Sequence, residues 1–330
     1  MVIFGIGAID KQSAEKTAEN FVRAEKAGFE YGWLPDFTDL ISLYPVLTML
    51  ARETKRMKIG PSVTNPYTRH PLVTAVSIAT IDQLSNGRAV LGISSGDRAF
   101  LRTMGIEMNK PVLAVKESVE IIRKALAGEE FSYEGEIFKI SNSRLASLPK
   151  RTVPIFIGAK GPKMLDLAGK IGDGVSIDAP HHLDVKLAAQ KVAKSARNSG
   201  RNVDDIMFSV TVPFSVGKDR DKAMDPILKF RAAVMASCSS SEILERHKID
   251  MDRISEIREK LRTGRSGEVS EMASEKILEA FSMVGTPDYC IERISKLIDA
   301  GVDQVHLAIF NFSTENENLL SKEILPYFKN

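Results

Sequence analysis

The stretch MKIGPSVTNPYTRHPLVTAVSIATIDQLSNGRAVLGISSGD, Met57 to Asp97, holds one complete structural unit and repeats its logic elsewhere in the chain. Met57–Val63 is a short, β-favouring apolar run. Pro71 stands where a helix accepts proline in its first turn, and Leu72, Ala75, Val76, Ala79 and Leu84 recur at helical spacing. Gly87 follows as a helix-terminating glycine, and Ala89–Ser94 is a second apolar run. Strand, helix and strand without a charged strand face describe a parallel crossover buried on both sides.

Outward from this unit the same alternation continues. Candidate strands are Val2–Gly7, Tyr31–Leu34, Met57–Val63, Ala89–Ser94, Val153–Gly158, Gly174–Asp178, Met207–Pro213 and Gln304–Ile309. Lys110–Gly128 repeats the helix grammar: Pro111 opens it, Val112, Val115, Val119, Ile122 and Leu126 form one face, and Gly128 closes it. Eight such units in 330 residues predict an α/β fold, a single (β/α)8 TIM barrel over 1–330, with its chemistry on the loops after the strands. A doubly wound sheet is the competing fold; Gly5-Ile-Gly-Ala-Ile-Asp10 lacks the third glycine of its fingerprint. Two segments break the alternation and read as insertions: a hairpin at about 131–148, turning at Glu134-Gly135, and a charged helical segment at about 237–279.

Bulk composition narrows the partners. The chain is 43% hydrophobic with a net charge of +2, which gives no excess positive field for a nucleic acid or an anionic membrane. Its two cysteines, Cys238 and Cys290, are far apart, so no disulfide framework or zinc site is indicated and a reducing cytoplasm fits. Met1–Ile9 has no basic leader and reads as a first buried strand, and no apolar run reaches membrane-spanning length.

The strand ends carry the candidate chemistry. Asp36 follows the second strand and reads either as an acid whose pKa burial raises or as a turn former. Ser95, Gly96 and Asp97 follow the fourth: the small residues let a flat ligand approach the backbone, and Asp97 is either a site carboxylate or a helix N-cap. Gly158, Ala159, Lys160, Gly161 and Pro162 follow the fifth and lead into a helix start, a geometry that cradles phosphate or carboxylate and also serves as an ordinary connection. His181-His182 lacks the rest of a metal motif and reads as a solvated loop, and His70 as a loop or cap residue. Glu242–Arg265 reads as a solvated helix face, and no Ser-His-Asp or Cys-His arrangement is legible. The bend Pro61–Pro66 carries no charge and no evident chemistry of its own.

The blocks GPSVTNPYTRHP, TIDQLSNGRAVLGISSGD, GEIFK, VPIFIGAKGPKMLDLAGKIGDGV and LERHKI, in that order, resemble the luciferase-like (β/α)8 oxidoreductases, and among them the deazaflavin-dependent 5,10-methylenetetrahydromethanopterin reductases. The resemblance spans nearly the whole chain. It implies coenzyme F420 across the barrel mouth, a non-prolyl cis peptide at Ser62-Val63, ring contacts from Asp36, Thr64, Asn65, Ser95, Gly96 and Asp97, and the coenzyme phosphate on Gly158–Pro162. It also implies hydride transfer to a C1-carrying pterin with no metal, proton donation by Asp97 or Asp36, and a dimer or tetramer.

This chain departs from the family pattern twice. Gly7 stands where the family has Glu at the end of strand one, and Phe37 where it has His after the strand-two Asp. Asp10 or Asp39 could replace the missing carboxylate, or the acceptor could be another pterin, an alcohol, a ketone or an imine. Two further classes compete with an F420-dependent reductase: an FMN-dependent monooxygenase, because FMN shares the tricyclic ring, and a flavin-binding protein without turnover.

Overall fold

The computed structural model describes residues 2–9, 13–37 and 41–329. Its strands are β1 (Ile3–Gly7), β2 (Tyr31–Leu34), β3 (Lys58–Pro61), β4 (Leu91–Ile93), β5 (Phe131–Glu134), β6 (Lys139–Ser143), β7 (Ile155–Gly158), β8 (Gly174–Ile177), β9 (Met207–Val216), β10 (Met283–Gly285) and β11 (Gln304–Ile309). Eight of them run parallel in the order β3-β2-β1-β11-β9-β8-β7-β4, and β10 adds beside the far end of β9. Isolated bridges between Ile59 and Ala89 and between Thr64 and Ile93 join the two ends of that order. The sheet is therefore a nearly closed barrel, which removes the doubly wound alternative.

The helices α1 (Ala14–Ala27), α2 (Leu43–Glu53), α3 (Pro71–Ser85), α4 (Arg98–Thr103), α5 (Pro111–Ala127), α6 (Pro162–Ile171) and α7 (His182–Asn198) follow strands in the first two thirds of the chain. In α3 the buried face overlaps the one periodicity suggests only in part: Ala75 and Ala79 lie on it, Val76 and Leu84 do not. Thr74, Ala75, Ile78, Ala79, Ile81 and Asp82 are buried, whereas Val73, Val76 and Leu84 are exposed. Nearly every position of α3 is apolar or small, so spacing alone cannot choose a face, and the buried Asp82 does. Its carboxylate accepts from the amides of Ala89 (3.2 Å), Lys150 (2.7 Å) and Arg151 (3.2 Å), which fixes the helix against the starts of β4 and β7.

Two segments lie outside the barrel. β5 and β6 pair antiparallel, and the turn between them is held by the buried Glu117 of α5, which accepts from the amides of Glu136, Ile137 and Phe138 at 2.8, 3.0 and 3.0 Å. The second segment begins soon after β9, earlier than the charge pattern suggests. It comprises α8 (Arg220–Ala223), α9 (Pro226–Ser237), α10 (Ser241–Arg246), α11 (Met251–Arg262) and α12 (Glu275–Phe281). Leu228, Ala232, Leu244, Ile254, Ile257, Ile277 and Phe281 form a core of its own, distinct from the barrel core. The charged run over α10 and α11 thus has a dry inner face. The chain ends with α13 (Pro287–Asp299), then α14 (Thr314–Leu319) and α15 (Leu325–Lys329) after β11. Among the described residues no helix is long and apolar enough to cross a membrane.

Candidate active site

The barrel interior is layered along its axis. At the N-terminal end Tyr31, Trp33 and Phe156 pack together, with Trp33 edge-on to Phe156 at 5.3 Å between ring centroids. Beside this aromatic plug Gln304 accepts from Trp33 Nε1 and Ser209 Oγ, each at 2.9 Å. One layer nearer the mouth, His306 Nδ1 and Thr211 Oγ1 are 3.3 Å apart, and Thr211 Oγ1 lies 3.4 Å from Ser176 Oγ. Chemistry below this level is blocked by packing, so a ligand enters from the C-terminal end, where barrels of this kind carry their loops.

The seam between β3 and β4 shapes one wall of that mouth. From Ile59 to Thr64 is five residues along one strand, whereas the facing bridge partners Ala89 and Ile93 are four apart, so β3 carries one extra residue, a bulge. Within it the Ser62–Val63 peptide is cis. Backbones approach closely here: a Cβ on Gly60 would lie 1.9 Å from the Val90 carbonyl oxygen, and one on Gly92 2.3 Å from that of Pro61. Val63 Cγ1 reaches over Gly92 and Gly158, where added Cβ atoms would lie 3.2 and 3.1 Å from it. Ser94 Oγ donates to the Gly158 carbonyl at 2.7 Å, tying the end of β4 to that of β7. The uncharged bend is thus a bare, rigid wall formed by three strand ends.

Asp36 faces this wall. Thr64 Oγ1 donates to Asp36 Oδ2 at 2.6 Å, and Arg69 Nη2 lies 3.9 Å from Oδ1. The Arg69 guanidinium sits 4.6 Å from the centre of the Tyr44 ring. Tyr44 Oη and Arg69 Nε are both buried without a hydrogen-bond partner among the described residues. Burial pushes the Tyr44 phenol well above its ordinary range, partly offset by Arg69 and reinforced by Asp36, so it stays protonated and able to donate. Neither Tyr44 nor Arg69 was singled out by sequence reasoning; Arg69 lies inside the PYTRHP block, but only the spatial adjacency of β2 and β3 brings it to Asp36.

The other predicted residues divide into two groups. Asn65 is buried, its Oδ1 accepts from the amides of Tyr67 and Thr68, each at 3.0 Å, and it packs beneath Gly96. Ser95 and Gly96 lead from β4 to Asp97, which is exposed and caps α4, with Oδ1 accepting from the Ala99 and Phe100 amides at 2.7 and 3.0 Å. The helix-capping reading of Asp97 is therefore realised. After β7, Gly161 stands at the N-cap of α6 with no side-chain cap and Pro162 in the first turn. Nothing lies within 4 Å of where a Cβ on Gly161 would be, and Lys160 Nζ donates to the Met235 carbonyl of α9 at 3.3 Å. Ala159 is buried beside this loop. An uncapped helix start under open space fits a phosphate, and the bare wall at Val63, Gly92 and Gly158 fits a flat ring. Phe37 packs edge-on against Phe100, 5.3 Å between centroids, which makes that side of the mouth apolar. Asp10 and Asp39 lie outside the described residues.

His70 caps α3, its Nδ1 accepting from the Leu72 amide at 3.3 Å. The solvated reading of His181-His182 is corrected. The His181 ring packs against those of His182 and His247, each at 4.4 Å, and burial lowers its pKa to about 4, helped by His247, Arg293 and His182. The nearby Asp184 is buried and pairs with Arg246 and with His247 Nε2, the latter at 2.6 Å, so this cluster clasps α7 to the helical insertion. The tie joins segments far apart in sequence, which is why no local motif announced it.

A family model described as luciferase-like monooxygenase matches residues 4–304. The chain is 40% identical to the 5,10-methylenetetrahydromethanopterin reductase of Archaeoglobus fulgidus over 312 residues, 93% of each chain. It is 37% identical to the enzyme of the same name from Methanolobus tindarius, covering 92% of each. Among solved structures, the coenzyme F420-dependent tetrahydromethanopterin reductase of Methanopyrus kandleri superposes with a TM-score of 0.91 at 35% identity, covering 99% of both chains.

Proposed function

The chain belongs to the luciferase-like monooxygenase family, and on that premise we propose that it is an F420-dependent oxidoreductase reducing 5,10-methylenetetrahydromethanopterin, or a related C1-carrying pterin. The observation that carries this reading is the full-length similarity to methylenetetrahydromethanopterin reductases, combined with the bare seam wall and the uncapped α6 start at one barrel mouth. Ser62, Val63, Thr64, Asn65, Ser95 and Gly96 would line the ring of F420, and Gly158, Ala159, Lys160, Gly161 and Pro162 would hold its phosphate. When bound, reduced F420 supplies a hydride.

The protein must then orient the acceptor, exclude water and deliver a proton. A methylene carbon bridging two nitrogens accepts a hydride only after one C–N bond opens, and that opening needs a proton on the departing nitrogen. Asp36 is the carboxyl best placed to give it. Thr64 and Arg69 hold its orientation, while the exposed Asp97 gives its Oδ1 to two amides of its own helix. The same reading includes a cytoplasmic location and a homodimer or homotetramer.

The test is a parallel titration of the purified protein with F420 and FMN, followed by a methylene-pterin reduction assay. Tight F420 binding with turnover is expected. Selective FMN binding with oxygen consumption would assign the protein to the monooxygenase branch instead.

A further inference from the structure

We infer that His306 contacts the bound heterocycle from the floor of the mouth, its Nε2 pairing with an amide-type edge, a ring carbonyl flanked by ring N–H. The inference rests on the functional reading above for the ligand class and on four observations for the contact. First, the Cα of His306 pairs in register with Gly5, yet its Nε2 lies 3.0 Å from where a Cβ on Gly7 would be. The imidazole therefore reaches two residues toward the C-terminal end of β1 and fills the place of a side chain at position 7. Second, His306 is 5% exposed and Nε2 has no hydrogen-bond partner among the described residues. A buried nitrogen left unpaired is costly, and this one lies level with the last residue of β1, where a ligand edge that reaches it would relieve that cost.

Third, the other ring nitrogen is occupied: Nδ1 faces Thr211 Oγ1, which in turn faces Ser176 Oγ. These hydroxyls can rotate to donate or accept, so either neutral tautomer is accommodated and Nε2 can serve as donor or acceptor without a change of charge. Fourth, among the described residues the ring packs near Gly7, Trp33 and Thr211, none of them charged; burial depresses its pKa to about 3, which keeps it neutral. The consequence is a change in the character of the site. At the end of β1 the molecule presents a neutral imidazole borrowed from β11 in place of a side chain of its own, and a neutral group there favours an uncharged ring edge over a cationic one.

Both the pyrimidine ring of a deazaflavin and a pterin present such an edge, and the experiment separates them. Histidine side chains are labelled with 15N in the full-length wild-type protein, and the His306 resonances, assigned with His306→Phe, are followed during titration with F420, with FMN and with a tetrahydropterin. A shift of the His306 Nε2 signal is expected with one of these ligands, identifying which edge it meets. In parallel, His306→Phe should raise Kd for that ligand, or KM for the pterin, by about tenfold, with His306→Gln recovering most of the loss. Binding and turnover with an unmoved His306 signal would overturn the contact and leave the functional reading intact. A shift with FMN, and no pterin turnover, would overturn the functional reading and keep the contact. If His306→Phe alters thermal stability but neither Kd nor KM, the residue is structural and the inference fails.

Discussion

At the N-terminal end of the barrel Glu25 accepts from the amides of Lys55, Arg56 and Met57, and Arg88 donates to the carbonyls of Ala51, Thr54, Met57 and Ser85. Asp82, Asp173 and Asp303 likewise take backbone amides at strand starts. At the C-terminal end, among the described residues, Tyr44 Oη, Arg69 Nε, His182 Nδ1 and His306 Nε2 are buried without such partners. Similar residue types serve both ends, but one end closes its polar network internally and the other leaves it open. Satisfaction of polar groups, more than their presence, separates the scaffold from the site.

The largest effect expected from breaking this contrast is at Asp36. Asp36→Asn should lower turnover by about 10²–10⁴-fold with little change in melting temperature. Asp97→Asn is its control: asparagine also caps helices well, so α4 should survive, and an equal loss of turnover would move the proton donor to Asp97. At the opposite end, Arg88→Ala should cost about 3 kcal/mol of stability in denaturant melts, because several carbonyls and the Glu25 charge lose their partner. Turnover per folded molecule should be unchanged. If Arg88→Ala lowers turnover at constant stability, the division between the ends fails.

Acid sensitivity sharpens the contrast further. His306 is held neutral by burial, with a pKa of about 3 against an unfolded value near 6.5, so the unfolded chain binds a proton that the folded one refuses. Its contribution is intact above about pH 6.5, and stability falls as pH drops from there toward 3. His306→Phe should flatten that slope by up to one proton, about 1.4 kcal/mol per pH unit, measurable in melts between pH 4 and 6. Glu25 acts in the same sense: burial raises its pKa, but the amides of Met57, Arg56 and Lys55 with Arg88 outweigh this and leave it lowered. Its stabilisation is present above the unfolded carboxylate value and is lost as pH falls through the folded one. The smallest effect is at Gly161, where a side chain meets nothing and the φ of −89° suits any residue. Gly161→Val should leave melting unchanged and weaken F420 binding about three- to tenfold, and unchanged binding would remove the phosphate cradle.

Much of this architecture was legible in the chain because parallel crossovers leave a period: apolar run, proline-opened helix, glycine, apolar run. The strand-end residues around the seam were legible for the same reason. What stayed hidden depends on closure. Asp36 meets Thr64 only because β2 and β3 are neighbours, and His306 meets Gly7 only because the last strand returns beside the first. Glu25, Asp82 and Glu117 look like surface charges on amphipathic helices, and only the loops folded onto them reveal three structural anions. Spacing places Val76 and Leu84 of α3 inward with Ala75 and Ala79, and they are exposed because the helix is apolar on nearly every side.

Gly60 and Gly92 face carbonyl oxygens across the seam so closely that any side chain at either one would push the two strands apart. A lineage drifting by single substitutions has almost no tolerated step at these positions, whereas Gly7, Phe37 and His306 lie off that seam. Variant libraries aimed at a new acceptor should spend their diversity on those three and leave the seam untouched, because the closure that would ruin the fold is separable from the surface that selects the substrate.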